Sequence, residues 1–439
     1  MNARRRSLLL PGVGFVLLAP ALPAAVQGGD ELAPRLDRLQ KAAQGDPALS
    51  PELKTALTDV AEALKKQDGT SGGAGDALAE AFAKIRFAGD FRLRHESDWH
   101  LDDRESRNRE RIRLRLGAEY DVNGQIAVGA RLTTGATTDE NSPHQNLGET
   151  FDKKPVNLDR AYATWKPACV PGGWVTAGKF AHAFETNPVY AELVWDADVQ
   201  PEGAALGWKR SGTSAGDVAL VAGEYVVLDN SSSSTLESAW AFVAQASAKQ
   251  KLGEKNRLVE AIGLYAYQEL NPDDVNAGRF FGENNGNAGV DTTGDGVADD
   301  YASRFTIYNP FVAWENTSLS VPITVAVEYV FNPRAKNDAD TGYSAGVKVG
   351  RNKSKGDWQA YYQWQVMEQD AALSNLTNDD FLFGTNYRGH LFGVRFQLLD
   401  KTELHLWSSC MRRDDLGTTT TTDSDKLQWR ARVDLNIRF

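Results

Sequence analysis

From residue 85 to its last residue the chain alternates apolar and polar side chains in short runs. In RNRERIRLRLGAEY (107–120), Arg109, Arg111, Arg113 and Arg115 hold one parity, while Ile112, Leu114, Leu116, Ala118 and Tyr120 hold the other. A period of two is the signature of a β-strand, whose successive side chains point to opposite faces. About sixteen such segments follow one another, from 85–96 through 174–184 to 426–439. Most approach the roughly 9–11 residues that a tilted strand needs to cross a bilayer. The last one sets Leu427, Trp429, Ala431, Val433, Leu435, Ile437 and Phe439 against Lys426, Gln428, Arg430, Arg432, Asp434, Asn436 and Arg438. The second row is too polar for the core of a soluble sheet.

The connections alternate as well. Tight ones, such as Asn123-Gly124, GEKN and LDK, take turns with longer, polar ones at 97–106, 137–155, 185–202, 229–235, 270–303, 333–341, 369–387 and 413–425. A β-sandwich has no reason to sort its loops by parity. A transmembrane barrel does, with short periplasmic turns and long outer loops. The pattern therefore predicts an all-β fold over 85–439: a transmembrane, antiparallel, up-and-down β-barrel with both termini periplasmic. Its arginine rows face a water-filled lumen.

The region before residue 85 reads differently. Arg4 to Arg6, the apolar run Leu8 to Leu18 and small residues through Ala25 make residues 1–26 a secretory signal peptide, cleaved between Ala21 and Gly28. Residues 30–84 are rich in Ala, Leu, Lys and Glu, with Leu53, Leu57, Val60 and Leu64 on one helical seam. They predict a short periplasmic helical segment and a Gly-rich linker. Packing on the barrel and an oligomerising coiled coil both remain open for it.

Composition narrows the function. The whole chain carries 48 Lys+Arg against 59 Asp+Glu, a formal charge of -11, which disfavours a nucleic-acid surface. Two cysteines, Cys169 and Cys410, are too few for a disulfide framework or a zinc site. No HExxH spacing is present, and the two GxSxG matches, GTSAG (212–216) in a tight connection and GYSAG (342–346) in a strand segment, make no strand-to-helix elbow, so no enzyme is expected. One metal motif deserves weighing. In DTTGDGVADD, Asp291, Thr293, Asp295, the Val297 carbonyl and Asp299 fall at calcium-loop positions, but Ala302 stands where an EF-hand has its glutamate. Calcium on this outer loop and a plain acidic turn both fit; no cofactor is otherwise required.

GDFRLRHE (89–96), RNRERIRLRLGAE (107–119), LDRAYATW (158–165), AGKF (177–180), LVWDADVQPEGAALGW (193–208) and the terminal Phe439 resemble the outer-membrane porins of Gram-negative bacteria. The resemblance implies one barrel per chain in outer-membrane lipid, often as a homotrimer, passing small hydrophilic solutes and ions. It also implies that Phe439 is the signal read by the barrel-assembly machinery. In general porins the third outer loop folds inward; here that loop, 185–202, carries Glu185, Glu192, Asp196, Asp198 and Glu202. A pore constriction is thus expected, with Arg92, Arg94, Arg109, Arg111, Arg113, Arg115 and Arg131 on the wall and these carboxylates across the lumen. A phosphate- or anion-selective channel and a non-conducting, calcium-dependent adhesion barrel are the alternatives.

Overall fold

The computed structural model describes residues 55, 83–99, 106–190, 193–213, 216–230, 238–270, 282, 284–378, 380–413 and 427–439. The signal peptide, and all but Thr55, Ala83 and Lys84 of the expected helical segment, lie outside these residues. From Ala83 onward the chain is one compact unit.

Its strands are β1 (Ile85–Trp99), β2 (Arg107–Asp121), β3 (Ile126–Thr134), β4 (Val156–Trp165), β5 (Gly173–Lys179), β6 (Glu202–Thr213), β7 (Gly216–Leu228) and β8 (Ala239–Lys251). There follow β9 (Asn256–Gln268), β10 (Thr306–Asn316), β11 (Ile323–Phe331), β12 (Thr341–Gly350), β13 (Trp358–Met367), β14 (Tyr387–Leu399), β15 (Thr402–Arg413) and β16 (Gln428–Arg438). Each pairs antiparallel with its neighbours in sequence, and β16 pairs back onto β1, so the sixteen strands close on themselves. Closure leaves no open sheet edge, the condition for β-structure in lipid. At the seam, Phe439 and Gly89 exchange backbone hydrogen bonds of 3.0 Å each, and the Phe439 ring lies where a β-carbon on Gly89 would sit.

The burial pattern is inverted relative to a soluble protein. On β16, Trp429 and Val433 are 39% and 44% exposed, whereas Arg432 and Asp434 are 3% and 2% exposed. Lipid against the apolar row explains this; water cannot. All connections at one end are tight, and the long ones gather at the other. They are L1 (100–106), L2 (135–155), L3 (180–201), L4 (229–238), L5 (269–305), L6 (332–340), L7 (368–386) and L8 (414–427).

L3 begins earlier than its sequence pattern indicates. Phe180, His182 and Phe184 keep the strand period, yet the ladder stops at Lys179, not at 184. Their rings turn inward and pack with Trp195, Tyr225 and Tyr265; His182 stacks on Trp195 at 4.6 Å between centroids. Phe180, Phe184, Leu193, Val194, Trp195 and Val199 are all buried against apolar inner-wall residues of β6 to β10, including Ala205, Val221, Ala241 and Phe311. At about 1.5–3 kcal/mol for each large apolar side chain, this burial holds L3 inside the barrel. The loop then crosses toward the opposite wall. Tyr190 stacks on Tyr361 of β13 at 5.8 Å, and Gln200 accepts a 2.7 Å hydrogen bond from Arg160 of β4.

L7 also folds inward. Leu373, Phe381 and Phe383 are buried, and L7 is tied to L2, L3 and L5 by Asn141 Nδ2 to Asn375 O (2.7 Å), Asp196 N to Leu376 O (2.8 Å) and Asn287 Nδ2 to Ala372 O (2.7 Å).

Candidate functional site: the charged lumen

The inward rows of β16, β1 and β2 meet in register. Arg94 lies opposite Asp434 on one side and Arg111 on the other; Glu96 lies between Arg432 and Arg109; Asp98 faces Arg430. The alternation along each strand therefore becomes a two-dimensional lattice of charge. Arg94 forks onto Asp434 through Nε (2.8 Å) and Nη2 (2.9 Å). Asp90 accepts from Arg113 (2.7 Å) and from Arg115 (2.7 Å), and Arg430 reaches Asp98 at 2.6 Å. Glu96 receives Arg109 and Arg432 together. Paired in this way, buried guanidinium groups keep the charge-assisted bonds that repay their desolvation.

L3 meets this wall. Asp198 of L3 is 2.9 Å from Arg115 Nη1 and 3.9 Å from Arg113 Nη1. Asp196 accepts the Asp198 backbone amide at 2.7 Å, which stiffens the tip of the loop. Below this contact, toward the tight-turn end, lies a cavity of about 1050 Å³ lined by ten arginines and seven carboxylates. His144 of L2 sits beside it, with Nε2 3.4 Å from Arg92 Nη1. Burial, reinforced by Arg94 and Arg92, holds the His144 imidazole well below its ordinary value.

The expected constriction residues divide into two groups. Arg92, Arg94, Arg113, Arg115, Arg131, Asp196 and Asp198 line the cavity. Arg109 and Arg111 do not: they are held higher on the wall by Glu96, Asp98 and Ser142, beneath L2, whose Gln145–Asn146 segment pairs with β2. Glu185 is across the barrel, bound to Lys249 at 2.7 Å. Glu202 opens β6, more than half exposed, and pairs with Lys179 at 2.6 Å. It is the first strand residue and no part of the loop, which corrects its expected place in the constriction. Glu192 lies outside the described residues. The wall acids Asp90, Glu96, Asp98 and Asp434, the arginines Arg160, Arg395, Arg430 and Arg432, and Asp380 of L7 are not among the expected constriction residues. The parity of GDFRLRHESDW, which puts Asp90, Arg92, Arg94, Glu96 and Asp98 on one face, is the signal that could have revealed the first three.

The calcium-loop residues form the exposed end of a hairpin in L5 whose strands are Gly289–Val290 and Asp300–Tyr301. Asp291 accepts the amides of Gly294 (2.6 Å) and Gly296 (2.7 Å), Asp299 accepts Thr292 N (2.9 Å) and Oγ1 (2.8 Å), and Asp295 accepts Val297 N (2.8 Å). Their bonds hold the Asp291 and Asp299 carboxylates below the ordinary range. Among the described residues no three Asp, Glu, His or Cys side chains converge as a metal cluster.

No curated protein matches the chain in sequence. Among solved structures it is similar to OprB of Pseudomonas putida in its high-pH form, with a TM-score of 0.51 and 14% identity over 83% of this chain and 97% of that one. OmpF of Salmonella typhi, in complex with daunomycin, gives 0.47 at 12% identity over 81% and 97%. An anion-selective porin from Comamonas acidovorans gives 0.46 at 10% over 81% and 99%. The profile of a family described as "Putative porin" matches residues 100–294 and 307–439, nearly the whole barrel. The chain belongs to that family, and its barrel is an outer-membrane channel.

Proposed function

We propose that the protein is a passive diffusion porin for small hydrophilic solutes and ions, narrowed where Asp196 and Asp198 of L3 approach the arginine wall of β1 and β2. The observation that carries this reading is the 2.9 Å contact of Asp198 with Arg115 above a charged cavity. Opposed charges at close range filter by sign and orientation. The ten arginines against seven carboxylates favour a lumen that prefers anions, although the chain as a whole is acidic. Conductance and reversal potential of Asp198→Ala and Arg113→Ala channels in a salt gradient test it. The first variant should gain anion preference and the second lose it; two wild-type values would remove the constriction from this place.

The long loops then face the outside and both ends of the barrel domain the periplasm, since the short turns, the start of β1 and the end of β16 share one rim. Homotrimeric assembly, implied by the family resemblance, belongs to the same proposal, and light scattering of the detergent-solubilised protein would test it. A silent bilayer would favour the non-conducting adhesion barrel.

A further inference from the structure

Of the ten arginines lining the cavity, eight pair with carboxylates, Arg432 with both Glu96 and Asp380; Arg160 bonds Gln200 instead, and Arg395 stands apart. Arg395 of β14 meets no carboxylate among the described residues; its guanidinium lies 5.6 Å above the centre of the Tyr361 ring. Trp407 of β15 is 5% exposed and Arg432 of β16 is 3% exposed, with the Arg432 guanidinium 4.6 Å over the indole. Arg395 Nε, Trp407 Nε1 and Arg432 Nη2 are each buried without a hydrogen-bond partner. Of the unpartnered buried nitrogens among the described residues, these three alone belong to side chains that line the cavity.

The register makes them neighbours. Trp407 lies directly opposite Arg432 on one side and Gly393 on the other, and Arg395 is two residues beyond Gly393 on the same face. Gly393 has a structural reason to lack a side chain: the Tyr361 ring fills the place of its β-carbon. Lying there, Tyr361 bonds His405 Nε2 at 2.8 Å and puts its face under Arg395. The nearby acids are already engaged, two of them by Arg432 itself, whose Nε bonds Glu96 at 2.6 Å. Asp434 is forked by Arg94, Glu403 accepts Asn436 at 3.0 Å, and Asp380 takes Arg432 through Nη1, leaving Nη2 unused.

Buried N–H groups without acceptors are costly in a low-dielectric site, and an acceptor arriving from the cavity removes that cost. We propose that Arg395, Trp407 and Arg432 form an oxyanion subsite, in which two guanidinium groups and an indole N–H take the oxygens of a carboxylate or phosphate solute. The subsite rests on the reading of the lumen as a solute path and gives that path its solute class.

The test is single-channel chloride current in planar bilayers, with sodium phosphate or sodium succinate added at constant ionic strength. Either anion should reduce the current along a saturating curve. Block by phosphate alone assigns a tetrahedral guest, and block by succinate alone a planar carboxylate. Trp407→Phe keeps a ring beneath Arg432 but loses the donor, and Arg395→Gln removes the unmatched charge. Each should raise the half-blocking concentration about tenfold, the worth of one hydrogen bond to a charged group. Arg257→Gln, in an exposed pair with Glu315, is the control and should block as wild type does. An open channel whose current does not saturate with either anion overturns the subsite and leaves the porin reading intact, as do both variants blocking like wild type. A chain that never conducts removes both.

Discussion

Arg115 shows how the lumen is wired: one guanidinium holds Asp90 of the neighbouring strand at 2.7 Å and Asp198 of L3 at 2.9 Å. Replacing it with Ala should release the L3 tip and leave Asp90 and Asp198 to share Arg113. The expected readout is a noisier channel that has lost anion preference, recorded in the same salt gradient as wild type. A second residue-scale prediction concerns Asp370 of L7, fully buried, which accepts Ala288 N (2.9 Å), Ser303 Oγ (2.6 Å) and Asn337 Nδ2 (3.2 Å). Burial pushes its carboxyl above the ordinary range, against the pull of those bonds. A raised carboxyl favours the folded loops in its protonated form, so its contribution is complete in acid and is lost as pH climbs through the raised value. Nicking of L5 to L7 by protease, referenced to unfolded protein at each pH, should be slower near the ordinary carboxylate value, at about pH 4, than at about pH 8, and Asp370→Asn should flatten the difference. The arginines were legible in the sequence because they alternate in an unbroken run. Their acid partners on β1 and β16 were not, because which acid faces which arginine depends on register, and the β16–β1 pairing closes the two ends of the barrel.

The strands were almost fully legible at the scale of elements, since a wall between lipid and water enforces strict alternation on every one. A charge on the lipid side should therefore be costly. Val433→Arg is expected to destabilise the barrel by about 2–4 kcal/mol if it lies near the midplane, and less toward either rim. Urea unfolding in lipid vesicles would measure it; a loss no larger than that of an inward Asn436→Gln would contradict the assignment of faces. The loops were less legible. Phe180 and Phe184 continue the period of β5, so the sequence hides the point where L3 leaves the ladder. That departure is driven by packing with Trp195, Tyr225 and Tyr265, far along the chain. Trp195→Ala should weaken this anchor by up to about 3–5 kcal/mol and enlarge the open-channel fluctuations. L7 had no periodic signal at all. Its inward fold rests on bonds to other loops, such as Ser374 N to Asn287 Oδ1 at 2.8 Å.

On the scale of the whole molecule, charge is sorted. The chain carries a net -11, yet its main cavity is richer in arginine than in carboxylate. A solute entering it meets a field opposite in sign to the one the overall composition implies. Local potential at a low-dielectric wall outweighs distant surface charge, which salt screens beyond about 8–10 Å. The sixteen-strand closure that creates this enclosed wall followed from strand and loop parity; the sorting of charge followed only from which faces closure turned inward. The most direct measurement is the current through a planar bilayer containing the refolded chain under a potassium chloride gradient. Discrete, ohmic steps with a reversal potential on the chloride side are expected. A bilayer that stays silent after insertion is verified, or steps that select potassium, would contradict a water-filled lumen lined by this arginine wall.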